Sequence, residues 1–323
     1  MKHIAILVPE SSVMQAIADP RYMFTVVNQF LQSKGQPPLF NVQLVGQSRE
    51  VRLNNGLFSV HTDQLLEEVG KADLIFIPAL FGDMKSAIEQ NRSAIPWIVE
   101  QYKQGAEVAS LCVGAFLLAS TGLLDGKQCS THWAFANEFR EMFPRVELKD
   151  GSVITEENHI YSSGGAHSYW NLLLYLVEKY TDREMAILAS KFFAVDIDRD
   201  SQSAFMMFQG QKNHVDEDIK QAQEHIEANY SEKVTVEELA ERFAIGRRSF
   251  ERRFKKATNN TVVEYLQRVR IEAAKRRFES SRKSINEVMY DVGYTDTKAF
   301  RDVFKKITGL TPVEYRNKFS KVN

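Results

Sequence analysis

Two cysteines in 323 residues, Cys112 and Cys129, are too few for a disulfide framework and suit a reducing compartment. No Cys/His spacing has the pattern of a metal site, and no motif calls for a cofactor. Long apolar runs are missing as well. The longest, residues 111–124, contains polar side chains and falls short of the roughly 20 residues that cross a bilayer. The N-terminus enters Ile4-Ala5-Ile6-Leu7-Val8 with no leader-type cleavage pattern, so a cytoplasmic protein without a membrane span is expected. A strong charge of one sign is also absent, since 41 Lys and Arg face 42 Asp and Glu.

That balance hides an asymmetry. Residues 231–323 hold 22 basic against 13 acidic side chains, and residues 1–230 hold 19 against 29. At this length two domains are the natural expectation, and a basic C-terminal part on an acidic N-terminal part suggests a nucleic-acid-binding module joined to something else. The basic excess peaks in Arg247-Arg248-Ser249-Phe250-Glu251-Arg252-Arg253-Phe254-Lys255-Lys256, where six of ten residues are basic. Phe250 and Phe254 are four apart and share one helix face. Upstream, residues 235–243 form a short amphipathic pattern, with Thr235 and Glu238 spaced for a capping box. Ala244-Ile245-Gly246 supplies a tight turn. Helix, short turn and basic helix make a helix-turn-helix, whose second helix enters the DNA major groove.

The pattern returns about fifty residues later. Phe250, Phe254, Lys255, Lys256, Thr258, Thr261, Glu264 and Tyr265 recur as Phe300, Phe304, Lys305, Lys306, Thr308, Thr311, Glu314 and Tyr315. A repeat at fixed spacing argues against a merely solvated basic face. The segment 231–323, closing on Gly293-Tyr294, Phe300, Phe304-Lys305-Lys306, Gly309-Leu310-Thr311-Pro312 and Tyr315-Arg316, resembles the AraC family DNA-binding domain. The resemblance implies seven helices, with two helix-turn-helix units joined by one long helix over residues 262–278. Where this family usually has a capping Ser in the first turn, the chain has Gly246.

With the aromatic pairs facing a core, Arg248, Glu251 and Arg252 project toward a docked groove, and Lys298, Ala299 and Asp302 hold the corresponding places in the second unit, with Arg301 beside them. Arg247 and Thr297 open the two helices. Lys255, Lys256, Lys305 and Lys306 lie at the helix ends, where phosphate contact is expected. Two such helices should enter major-groove segments about 34 Å apart on double-stranded promoter DNA.

In the N-terminal half, short apolar runs (residues 3–8, 41–45, 73–78 and 107–111) alternate with helical patterns at 22–33, 63–69, 93–104 and 113–120. That implies a mostly parallel sheet with helices on both faces, binding ligand at the C-terminal ends of its strands. The expected class is therefore α/β plus all-α. In Ser110-Leu111-Cys112-Val113-Gly114-Ala115 a nucleophile-type residue stands between strand and helix, the layout of a nucleophile elbow. A helix N-terminus favours a thiolate there; the plain alternative is a small residue packed under the helix.

The N-terminal half is similar to the PfpI-like, class I glutamine amidotransferase-like domain found in GlxA-type AraC regulators. The likeness rests on residues 108–119, Gly122-Leu123-Leu124-Asp125-Gly126-Lys127, Thr131-His132-Trp133, Phe143-Pro144, Ser163-Gly164-Gly165 and residues 172–178. It implies a ligand-sensing and dimerising domain over 1–195, a linker over 196–214 and the DNA-binding domain over 215–323. Candidate pocket residues are Glu10, Gln15, Phe81, Gly82, Cys112, Val113, His132, Gly165, His167 and Asn171. Enzymes of the superfamily usually place an acid after the first strand, where Gln15 falls here with Glu10 the only nearby carboxylate. Protease-like members follow the Cys with His, and here Val113 follows it. Many regulators of this type have Asp where this chain has Asn171. The expectation is a non-catalytic sensor controlling a DNA-binding homodimer, with a small-molecule effector; the alternative is a cysteine hydrolase of amidase, peptidase or glyoxalase type with a DNA-binding tail.

Overall fold

The computed structural model describes residues 1–197 and 201–320. The chain divides into two compact units, Met1–Gln202 and Ser203–Asn323. In the first, the strands are β1 (Lys2–Leu7), β2 (Phe40–Gly46), β3 (Glu50–Leu53), β4 (Phe58–His61), β5 (Gln64–Leu65), β6 (Leu74–Ile77), β7 (Glu107–Ser110), β8 (Gln128–Cys129), β9 (Glu147–Leu148), β10 (Ile154–Glu157) and β11 (Ile160–Ser163). The helices are α1 (Met14–Ser33), α2 (Met84–Gln90), α3 (Ala94–Lys103), α4 (Ala115–Ser120), α5 (Ala136–Met142), α6 (Tyr169–Tyr180) and α7 (Arg183–Phe193).

Seven strands form one sheet in the order β10-β11-β7-β6-β1-β2-β5. All pairings are parallel except that of β10 with β11. The central strands are apolar throughout because helices cover both faces; β6 is buried at every position. Order reverses at β1, which pairs with β2 on one side and β6 on the other. This is the switch point where open α/β sheets leave a crevice at the strands' C-terminal ends.

Two local expectations are corrected, and one element had not been expected. The helix expected from residue 22 begins eight residues earlier and runs through Pro20, because Ala16, Ile17, Pro20, Met23, Phe24 and Val27 form one continuous buried stripe. Residues 63–69 are a two-residue strand and a short 3₁₀ turn rather than a helix. Between β2 and β5 stands an antiparallel hairpin, β3–β4, turning through Asn54, Asn55 and Gly56, all in the left-handed region. That Asn-Asn-Gly turn was its sequence signal.

The second unit contains α8 (Glu217–Ala228), α9 (Val236–Arg242), α10 (Arg247–Thr258), α11 (Val262–Ser280), α12 (Ile285–Asp291), α13 (Thr297–Thr308) and α14 (Pro312–Phe319), seven α-helices among the described residues. The repeat in sequence is a repeat in packing. Burial of residues 251–260 follows the same order as that of 301–310. Phe254 meets Tyr265 edge-on at 5.4 Å as Phe304 meets Tyr315 at 5.5 Å. Thr258 Oγ1 donates to Phe254 O at 2.8 Å, and Thr308 Oγ1 to Phe304 O at 2.8 Å. Two separate cores result, one around Phe250 and Phe254 and one around Phe300 and Phe304, with α11 contributing to both. Each fully buried Phe contributes about 1.5–3 kcal/mol relative to exposure.

Candidate functional site

After β7 the chain turns sharply at Cys112, whose φ of 55° puts a non-glycine residue in the left-handed region. The turn feeds a 3₁₀ turn over Cys112–Gly114 and then α4. Gly114 is needed for closeness: a Cβ there would lie 2.5 Å from both Ile77 O and Pro78 O. The elbow is thus real in its backbone, but its side chain is not offered to solvent. Cys112 is 6% exposed, and burial pushes its thiol up to about 12, opposed only by the Val113 backbone N–H. Cys112 N donates to Ser163 Oγ at 3.3 Å and Thr131 Oγ1 donates to Cys112 O at 3.2 Å. His132 does not serve the thiol. Its Nδ1 accepts from Ala134 N at 3.1 Å, its ring packs on Trp133 and Phe135, and burial lowers its pKa.

Beside the elbow, Gln202 is buried with its carboxamide against the Gly164-Gly165 corner. Its Nε2 donates to Thr131 O and to Ser152 O, both at 3.0 Å. A Cβ on Gly164 would fall 1.9 Å from that nitrogen, so only glycine leaves the space. Asn171, on the first turn of α6, donates from Nδ2 to Asp196 O at 2.5 Å. Two of the expected ligand residues therefore meet the chain itself, Gly165 at Gln202 and Asn171 at Asp196. His167 is exposed.

A groove of about 790 Å³ opens at the C-terminal ends of β1 and β6. It lies between the loop after β1, the β3–β4 hairpin, the loop after β6 and α2, and Glu10, Gln15, Phe81 and Gly82 all line it. Its size is in the range of small-molecule sites. Phe81 (64% exposed) and Phe58 (45%) offer apolar surface, with Glu10, Arg52 and Asp83 supplying charge of both signs. Eight of the ten candidates thus separate into a groove set of four, a buried elbow pair of Cys112 and Val113, and a pair, Gly165 and Asn171, that meets Gln202 and Asp196; His132 and His167 fall in none of these.

On the second unit, α10 and α13 present matching polar faces. Arg248, Glu251, Arg252, Lys255 and Lys256 are exposed on one; Lys298, Arg301, Asp302, Lys305 and Lys306 on the other; Thr297 is half-buried. No acidic side chain lies within ion-pair distance of Arg248, Arg252 or Arg301 among the described residues. Arg247 differs: it is exposed but paired with Glu237, and with Glu251 at 3.5 Å. Lys255, Lys256, Lys305 and Lys306 occupy the last turns of their helices, where the helix dipole also favours cations.

Comparison with known proteins joins the halves. A helix-turn-helix domain profile matches residues 239–318 and the DJ-1/PfpI family matches residues 25–179. The HTH-type transcriptional regulator GbdR of Pseudomonas aeruginosa is 27% identical over 271 residues, covering 83% of this chain and 72% of that protein. The HTH-type transcriptional regulator GlxA of Rhizobium meliloti is 22% identical over 217 residues, 66% of each chain. The chain thus carries the two parts of an AraC-type transcriptional regulator with a PfpI-like N-terminal domain, and is similar to such regulators over most of its length. Its N-terminal unit shares its fold with an AraC family transcriptional regulator of Pseudomonas putida (16% identity, TM-score 0.50, covering 60% of this chain and 100% of that one). A THiJ/PfpI family protein of Pseudomonas syringae is alike in the same way (16% identity, TM-score 0.51, 70% and 86%). No helix among the described residues of this regulator is long and apolar enough to cross a membrane.

Two features of the regulator had little sequence signal. Asp19, one helical turn beyond Gln15, accepts from Tyr169 Oη at 2.6 Å, so the acid on this side of the elbow is already engaged. Gln202 stood unmarked in an aperiodic polar stretch; only the paired glycines opposite hinted that something must fit there.

Proposed function

We propose that this regulator binds promoter DNA through α10 and α13 and is controlled by a small metabolite held in its N-terminal unit, which also carries the homodimer contacts. The carrying observation is the duplicated helix face: two helices with the same burial pattern, each offering unpaired Arg at its centre and Lys pairs at its end. Arg248, Arg252 and Arg301 read base edges; Lys255, Lys256, Lys305 and Lys306 meet phosphates. The effector occupies the groove at the switch point, touching Glu10, Gln15, Phe81 and Gly82.

The N-terminal unit acts without catalysis. A nucleophilic thiol needs a thiolate. Cys112 is buried and protonated far above neutral pH, with His132 turned to its own backbone and Asp19 to Tyr169. Selecting duplexes from a random library with the full chain tests the DNA reading: recovery of one site with two half-elements a helical turn apart is expected, and unenriched duplexes refute it. A thermal-shift screen of metabolites tests sensing, since a ligand that binds only the folded state raises the melting temperature. Loss of the response in a Gln15 or Phe81 substitution assigns it to the groove. Turnover of amides or 2-oxoaldehydes by the pure protein, abolished by Cys112→Ala, would overturn the non-catalytic reading.

A further inference from the structure

We infer that the corner beside the elbow is a second ligand site, a cradle for a primary amide or a like planar NH₂ group, filled in this state by the regulator's own Gln202. Four observations meet there. Two backbone carbonyls, the buried Thr131 O and the part-buried Ser152 O, converge on one nitrogen at 3.0 Å each, an arrangement that selects a group carrying two N–H donors. Gly164 and Gly165 keep the space free of side chains, and Gly165 holds φ at 76° to do so. Ser168 Oγ is 1% exposed, has no hydrogen-bond partner and stands at the same corner, 2.6 Å from where a Gly165 Cβ would be. Gln202 Oε1 is buried without a partner as well. The cradle is therefore satisfied on its carbonyl side only. A ligand pairing an NH₂ group with an oxygen placed for Ser168 would complete hydrogen bonds that Gln202 leaves unmade.

Occupancy of this cradle is tied to the connector. Gln202 N donates to Gly151 O at 2.7 Å, and Ser201 bridges Ser152, so the carboxamide and its backbone are held together. Gln202 is the last residue of the first unit. A few residues on, in the second unit, Lys275 Nζ donates to Met206 O at 2.5 Å and Phe208 N to Glu272 at 3.2 Å. An amide that displaces Gln202 frees the connector from the N-terminal unit alone. The consequence at DNA rests on the sensor reading; binding at the cradle does not.

The test uses the full chain without DNA, so its failure and that of the DNA reading are separate. Gln202→Ala empties the cradle. Because a tethered side chain competes at an effective concentration in the millimolar range, the variant should bind propionamide roughly tenfold or more tighter than wild type, read as a larger rise in melting temperature. Propionate should do nothing to either. An equal response of both proteins to propionamide, or none, overturns the proposal. Should Gln202→Ala fail to fold, Gln202→Glu keeps the shape but turns a carboxylate on the two carbonyls. Hydrogen-exchange protection of residues 201–206 should then fall while that of the sheet stays; unchanged protection at 201–206 overturns the proposal too.

Discussion

The two helix-turn-helix units bury the same positions, yet they are built differently where their helices meet. In the second, Gly293 takes the left-handed turn position at φ 84° and Asp296 caps α13, accepting from Ala299 N at 2.6 Å. In the first, Ala244 adopts φ 52° in the equivalent place and Gly246 precedes α10 with no side-chain cap. The first unit makes up for weak turn chemistry by electrostatics from outside. Arg253 forks onto Asp216 at 2.6 and 2.8 Å and reaches Asp218 at 2.8 Å, both at the start of α8, whereas the second unit has half-buried Val303 there. Arginines in one turn of α10 thus differ in their surroundings: Arg253 is tied to the start of α8, while Arg252 is exposed. Basic density alone did not distinguish them.

The comparison can be broken at its core first. Phe254→Ala and Phe304→Ala should each cost about 3–5 kcal/mol, since each empties a fully buried ring position; urea unfolding measures it, and a cost below 1 kcal/mol at either site would mean that core is not load-sharing as the repeat implies. At the turns, Gly293→Ala sets a Cβ 2.5 Å from Ser231 O at a left-handed φ, so a loss of about 1–3 kcal/mol is expected. Ala244→Gly should be near neutral, as relief of strain offsets added unfolded-state entropy. Equal losses at both would remove the distinction between the turns.

On DNA, Arg252→Ala should cost about 1–3 kcal/mol on the selected site and relax preference at one base step. Lys305→Ala should instead weaken all sequences alike and reduce the salt slope by about one. Binding to matched and mismatched duplexes over a salt series decides it, and uniform weakening by Arg252→Ala refutes base readout.

The Arg253 brace should be acid-sensitive. Hydrogen bonding from Arg253 holds the Asp216 carboxyl below its usual range. A depressed folded pKa contributes stability above the unfolded value of about 3.9, and that stability is lost as pH falls through the lower folded value. Arg253→Met should therefore cost at most about 1 kcal/mol at neutral pH, given a partly exposed pair, and flatten the loss of stability below pH about 4. An unchanged acid profile in urea melts refutes the brace. Smallest of all, Asp296→Ala should cost about 1 kcal/mol and Gly246→Asp should gain a few tenths, because a side chain at Gly246 meets no atom within 4 Å.

Much of this protein was determined by local pattern. The elbow at Cys112 and the paired helices of the DNA-binding half follow from periodicity, caps and the fifty-residue repeat, because such signals act over a few residues; the full set of seven helices was what the family resemblance implied. Thr235 with Glu238 forms the capping box its spacing promises, and the structure adds a second at Thr261 and Glu264. Tertiary structure decided what those residues face. It closed the thiol of Cys112 away from solvent, gathered Glu10, Gln15, Phe81 and Gly82 into a groove without it, and set Gln202 against glycines nearly forty residues away in the chain. Burial and long-range hydrogen bonds depend on which strands become neighbours, and no spacing within the chain encodes that.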